Sequence, residues 1–207
     1  MDFFLIPNNP ENSVLVSANG VAHYQIRTAK LGGGVRVTHI QRPADSTEDS
    51  IVAEIEWKSW ETPTIIRSPL LGGLGRCVGK AGVGVRAHKF LYRRRKLSPS
   101  RYFVGNDGEE YQWKASKDSG CVLLQSGTDE EVARHVNTIN AEGLFAGERK
   151  SALRIQPCSL DIDLIVLSFV VMEKKRRERT GDGMEALPHD EDPQGEGCVS
   201  GDAAGEA

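Results

Sequence analysis

A chain of 207 residues with 39% hydrophobic side chains can fill one core of ordinary size, which excludes a chain disordered throughout. The formal net charge of −3 averages two unlike regions. From Thr180 to Ala207 there are eight acidic residues (Asp182, Glu185, Asp190, Glu191, Asp192, Glu196, Asp202, Glu206) and no Lys or Arg, which leaves a body with 26 basic and 21 acidic residues.

The body, residues 1–179, opens with short apolar, β-prone runs at Phe3–Ile6 and Val14–Ser17. Asn19-Gly20 predicts a hairpin turn into a strand over Val21–Thr28, because Asn and Gly tolerate the positive φ that such a turn needs. Val35, Val37 and His39 alternate with polar neighbours. Ile51, Ala53, Ile55 and Trp57 alternate with Val52, Glu54, Glu56 and Lys58, so one face of that strand is charged and the other suits a core. Further strands are predicted at Thr64–Arg67, Gly84–Tyr92, Arg101–Val104, Glu110–Ala115, Cys121–Gln125 and Ala152–Gln156, with the turn Asn106-Asp107-Gly108 joining two of them. Residues 128–140 read two ways. Thr128-Asp129-Glu130-Glu131 fits a helix capping box, whereas Val132–Val136 in a many-strand chain favours a strand, the reading preferred here.

The run Ile162–Met172 is apolar apart from Asp163 and Ser168 and ends in the charged block Glu173–Arg179. About 11 apolar residues are too few to cross a bilayer, and a helix that is apolar on every side belongs inside a protein. A helix over about 161–175, capped by Ser159 or Asp161, is predicted; a buried central strand is the competing reading. Many short strands and one such run predict a mainly β fold, a closed antiparallel barrel around a hydrophobic C-terminal helix. Residues 180–207 are predicted to be a disordered acidic, Gly-rich tail, which either solubilises the protein or folds back over a basic surface.

The order of these pieces resembles an uncharacterised domain family of basidiomycete fungi. The turn Asn19-Gly20 followed by Tyr24, the strand IVAEIEW, the hairpin RYFVGNDGEEYQWK, the strand ALRIQP and the closing LDIDLIVLSFVVMEKKRRER carry the likeness across residues 1–179. That family is similar to the tubby C-terminal-like, LURP-one-related and phospholipid-scramblase group. The resemblance implies a barrel of about twelve strands with Ile162–Met172 as its central helix, and relatives that bind lipid.

Site chemistry is sparse. Cys77, Cys121, Cys158 and Cys198 lack metal-ligand spacing, as do His23, His39, His88 and His135, so no metal or cofactor is expected. In Gly72–Gly84 the residue where a phosphate loop begins with Gly is Leu74, and Ala81 stands where its hydroxyl would be. The stretch therefore reads as an inter-strand loop. Ser119 and the cysteines have no recognisable base beside them, and Trp57, Trp60, Trp113, Tyr111 and Phe103 read as core or rim. The densest basic cluster of the body is Arg93, Arg94, Arg95 and Lys96, with Lys89 and Arg101 near; Lys174–Arg179 is a second. Guanidinium forks suit phosphate oxygens. The expectation is a non-enzymatic module that binds an anionic phospholipid headgroup, such as a phosphoinositide, through Lys89, Arg93, Arg94, Arg95, Lys96 and Arg101. A protein–protein adaptor with an acidic protein partner is the alternative, and an enzyme without a motif a more distant one. Aromatic residues are not interleaved with either cluster, which weighs against nucleic acid. The absence of a secretion signal and of spaced cysteine pairs predicts an intracellular, cytoplasmic protein, with the membrane periphery or the nucleus as places the basic cluster would suit.

Overall fold

The structure, a computed structural model, describes residues 1–46, 50–57, 63–74, 84–95, 98–116 and 120–181. Lys58, Trp60, Cys77, Lys96, Ser119, Cys198, most of the Gly-rich stretch and the acidic tail from Asp182 lie outside the described residues.

The fold is mainly β. Twelve strands form one antiparallel sheet: β1 (Asp2–Ile6), β2 (Ser13–Val16), β3 (Ala22–Lys30), β4 (Arg36–Gln41), β5 (Ile51–Glu56), β6 (Ile65–Arg67), β7 (Val85–Arg86), β8 (Arg101–Val104), β9 (Glu110–Ser116), β10 (Gly120–Gln125), β11 (Glu131–Ile139) and β12 (Arg149–Ile155). Neighbours in sequence pair as hairpins from β1 to β7 and from β8 to β12, and β1·β12 joins the two halves, with Phe3 opposite Leu153. The edge strands β7 and β8 share no ladder. A single bridge, with Tyr92 and Tyr102 exchanging two 2.9 Å backbone hydrogen bonds, ties the chain beyond β7 to β8.

Local chemistry explains most of these elements. The β2–β3 turn places Gly20 at φ +86°, where a side chain would be strained. In β3, Tyr24 and Ile26 are buried while the intervening Gln25 and flanking Arg27 face outward; in β9, Tyr111 and Trp113 alternate with Gln112 and Lys114 in the same way. Residues 131–139 form a strand, as preferred. Gly84–Tyr92, expected to be one strand, is instead the two residues of β7 followed by the single helical turn α1 (Ala87–Phe90). Ala87, Phe90 and Leu91 recur at helical spacing, and the turn buries all three.

The apolar run is the helix α2, Ile162–Thr180, longer at its C-terminal end than the expected 161–175. Asp161 is the N-cap, its side chain accepting from the Asp163 amide at 2.8 Å; Gly181, at φ +71°, closes the helix by donating to the Arg177 carbonyl. From Asp163 to Arg177 every residue except Lys175 is buried. Strands of both halves of the sheet reach the helix through polar contacts. Tyr24 of β3 donates to Asp163 (2.6 Å), Trp113 of β9 donates to Ser168 (3.0 Å), and Cys121 of β10 donates to Glu173 (3.5 Å). The sheet thus curves around α2, and each polar residue named on this buried helix finds a partner on it. No helix among the described residues is long and apolar enough to cross a membrane.

Asp163 has a second partner in the half-exposed Arg42, 2.5 Å away. Removing the tyrosine hydroxyl therefore weakens the carboxylate without stranding it. Tyr24→Phe is expected to lower stability by about 1.5–3 kcal/mol, read as a fall in the urea midpoint with no change in slope.

Candidate functional site

The predicted basic residues separate in space. Arg94 is committed to structure. It pairs with Glu110, lies 4.7 Å over the Tyr102 ring, and shares its carboxylate with the Tyr92 hydroxyl. Burial, reinforced by that hydrogen bond, pushes the Tyr92 hydroxyl up to about 12. Arg95 is exposed beside it, Lys89 is exposed on α1, and Lys96 lies outside the described residues.

Arg93 and Arg101 instead meet part of the second cluster. Lys175 and Arg179, one helical turn apart on α2, line a cavity of about 240 Å³ with Arg93, Arg101 and Glu178. The chain builds this by setting the start of β8 against the last turns of α2. Arg101 is buried at 8% exposure, and its guanidinium is held by the carbonyls of Ser98, Pro99 and Ser100 at 3.0–3.3 Å. Lys174, the neighbour of Lys175, turns away. It pairs with Glu178 and with Glu11 (3.6 Å) and sits 4.7 Å over the Trp57 ring.

The electrostatics of the cavity are one-sided. Among the described residues, no carboxylate forms an ion pair with Arg101, Lys175 or Arg179. Burial, with the charges of Arg93 and Arg179 adding to it, pushes Arg101 down to about 10. Burial and the nearby Arg101 likewise push Lys175 down, with Glu178 opposing. A helix end supplies only about half a negative charge. That offsets a small part of three cations, and Glu178 is shared with Lys174. Taking Arg101 and part of Lys175 out of water beside the exposed Arg93 and Arg179 raises the free energy of the empty site, and an anion relieves it. The cavity is smaller than the ~300–1,000 Å³ typical of drug-sized ligands, and suits a phosphate-sized or headgroup-sized one. A second cavity of about 380 Å³ adjoins it through Lys175 and Glu178 and is walled by Trp57, Ala87 and His88.

Lys175 and Arg179 were legible only as a charged helix end. Their spacing of four residues put them on one face, but nothing in the sequence sets that face against Arg101.

One buried trio has the residue types of a nucleophilic centre. Cys121 donates to Glu173, and His135 lies 3.6 Å from the same carboxylate. All three are at most 5% exposed, and burial pushes the Cys121 thiol up, away from the thiolate that nucleophilic attack requires. Burial opposes the ionised form of Glu173, but the hydrogen bond from Arg176, the nearby His135 and the hydrogen bond from Arg177 outweigh it and hold the carboxyl down at about 2. The trio packs as core. Among the described residues no group of His, Cys, Asp and Glu is arranged to hold a metal ion.

The model of a family of unknown function (DUF6593) matches residues 8–178, most of the sheet and nearly all of α2. No curated protein and no solved structure matches the chain.

Proposed function

We propose, for a chain that belongs to this family of unknown function, that it is a non-enzymatic binding module whose site is the cavity of Arg93, Arg101, Lys175 and Arg179. Its ligand is the anionic headgroup of an acidic phospholipid, a phosphoinositide best of all, met at a membrane surface. The observation that carries this reading is the convergence of cations from two distant stretches of sequence on one small cavity, with no carboxylate among the described residues paired to three of them. Such an arrangement contributes nothing to the core, and cations facing one another destabilise an empty surface. The curvature of the sheet around α2 and the Tyr92–Tyr102 bridge support a closed barrel of the tubby-like kind as the scaffold. The expected working place is the cytoplasmic face of a membrane.

Vesicle sedimentation tests this. The full chain is expected to pellet with vesicles containing an acidic phospholipid at low salt, less so at 0.5 M salt, and not with neutral vesicles. Each basic residue near an anionic surface contributes about 1 kcal/mol, so Lys175→Gln with Arg179→Gln should weaken binding by roughly ten- to thirty-fold. A chain that ignores acidic vesicles at low salt, or a variant that binds as well as the parent, overturns the assignment.

A further inference from the structure

We propose that Ser98 is a phosphoacceptor for a proline-directed serine/threonine kinase, and that its phosphate takes the anion position of the cavity, on Arg101 and the cations beside it. This adds a modification site and a means of regulating the cavity; it rests on the placement of the cavity given above, not on the lipid as its ligand.

The most buried of the cavity's arginines sits in a cage built by the segment that carries Ser98. The Arg101 guanidinium donates to the carbonyls of Ser98 and Pro99 at 3.3 Å and of Ser100 at 3.0 Å. Pro99 lines the cavity itself. A phosphoryl group on the Ser98 hydroxyl is thus within a side chain's length of that guanidinium, on which the charges of Arg93 and Arg179 also bear. The three carbonyls are neutral and their bonds long. Bonds from a guanidinium to an anionic oxygen are shorter, ~2.7–2.9 Å, and roughly twice as strong. A phosphoserine brings three acceptor oxygens and a charge of about −1.5 to −2 at pH 7. Glu178, which also lines the cavity, is paired with Lys174 and does not supply that charge to Arg101.

Sequence and exposure single out this serine. The chain has three Ser/Thr-Pro pairs, Thr62-Pro63, Ser68-Pro69 and Ser98-Pro99. Thr62 lies outside the described residues, and Ser68 is fully buried with its hydroxyl donating to the Val52 carbonyl at 2.6 Å. Ser98 is half-buried and Pro99 exposed, whereas the neighbouring Ser100 is buried. Proline has no N–H, so an apolar kinase pocket after the phosphoacceptor takes it without leaving a donor unpaired. The exposed Arg95, three residues before Ser98, adds the upstream charge that carboxylates in a substrate groove attract. The described residues between Tyr92 and Arg101 belong to no strand or helix, so they can enter a catalytic cleft without unpairing a ladder.

The transfer balances with a nucleoside triphosphate as the phosphoryl donor. The Ser98 oxygen bonds to the γ-phosphorus, and the bond from that phosphorus to its bridging oxygen breaks. The nucleoside diphosphate leaves, and the hydroxyl proton passes to the kinase's base and on to solvent.

The full chain, incubated with a cyclin-dependent kinase and MgATP, tests the site by mass spectrometry. Ser98 is expected to be the main phosphorylated residue, and Ser98→Ala to lose most of the incorporated phosphate. Phosphate found elsewhere with Ser98 unmodified overturns the site. Phosphorus-31 NMR of the phosphorylated chain then reads the placement. The second ionisation of a phosphoserine falls near pH ~6 and is expected about half a pH unit lower beside these cations. It should return toward 6 when Lys175→Gln and Arg179→Gln are combined. A titration at the ordinary pH, or a lowered one that the double variant leaves unchanged, overturns the placement. Vesicles containing an acidic phospholipid complete the test: the phosphorylated chain should bind them about ten- to thirty-fold more weakly than the unmodified chain. Equal binding by both forms overturns occupancy of the cavity and leaves the lipid reading standing. A lowered phosphate titration with neither form binding vesicles removes the lipid and leaves the phosphate on its cations.

Discussion

Leu167→Asp is expected to leave no cooperatively folded protein. Leu167 is fully buried in the N-terminal half of α2, within a stretch where Val166, Phe169 and Val170 are also at 0% exposure. An aspartate there would put a carboxylate at a fully buried position of the apolar core. Burying an unpaired charge costs several kcal/mol even after relaxation, and losing the leucine's packing adds ~2–5 kcal/mol. Together these approach or exceed the ~5–15 kcal/mol by which a typical domain is stable. The expected readout is loss of the near-ultraviolet circular dichroism of the buried Trp113, with no sigmoidal urea transition. A soluble Leu167→Asp chain that unfolds cooperatively would remove α2 from the core. Leu167→Met, close in volume, should cost under about 1.5 kcal/mol and serves as the control.

Glu173→Ala comes next in size. Glu173 is fully buried and accepts from Arg176 through both oxygens (2.8 and 2.9 Å) and from Arg177 (2.8 Å). Its removal leaves two buried guanidinium groups without their carboxylate, a change that costs about 3–5 kcal/mol. Arg177 keeps its 2.7 Å bond to the Asn8 carbonyl, which places the expected loss toward the lower end. The same carboxylate sets an acid limb. Its pKa is depressed to about 2 from an ordinary 4.5, so the stability it contributes is complete above about pH 4.5 and is lost as pH falls toward 2. That contribution is about 3 kcal/mol. Urea midpoints should therefore fall between pH 4.5 and 2 in the parent and fall less steeply in Glu173→Gln. Parallel slopes in the two chains would show that other carboxylates govern acid unfolding.

The fold was readable where local chemistry decides it. Asn19-Gly20 and Asn106-Asp107-Gly108 force reversals whatever surrounds them, and an all-apolar run such as Ile162–Met172 has no stable place outside a core. The end of α2 was misjudged because Glu173, Arg176 and Arg177 look like a solvated helix end. Their spacings of three and four residues were the signal that they form a network, and burial then extends the helix interior to Arg177. The Gly84–Tyr92 error was one of periodicity: nine residues carry too few apolar positions to separate a helical turn from a strand. The candidate site was half legible. Arg93 and Arg101 belong to it, while the partnership of Arg94 with Glu110 and Tyr102 depends on a strand pairing that no local pattern announces. Lys175 and Arg179 required knowing which strand lies beside the last turns of α2, a matter of topology alone.

The pairing of β1 with β12 has a consequence for the order in which this protein can form. During synthesis β1 to β7 can close their hairpins as they emerge, but β1 keeps one edge open until residues 149–155 exist. The apolar inner face of the sheet stays uncovered until α2, later still, is made. Every arrangement in which the last helix fills the interior of the earlier strands makes the decisive contacts ones of long sequence separation, and such topologies fold in milliseconds to seconds rather than microseconds. A ribosome-bound chain halted before residue 160 would carry a nearly complete sheet with nothing to wrap around, a sticky species suited to chaperone capture. Completion of the fold is thus timed by the arrival of its most hydrophobic segment rather than by its first strands.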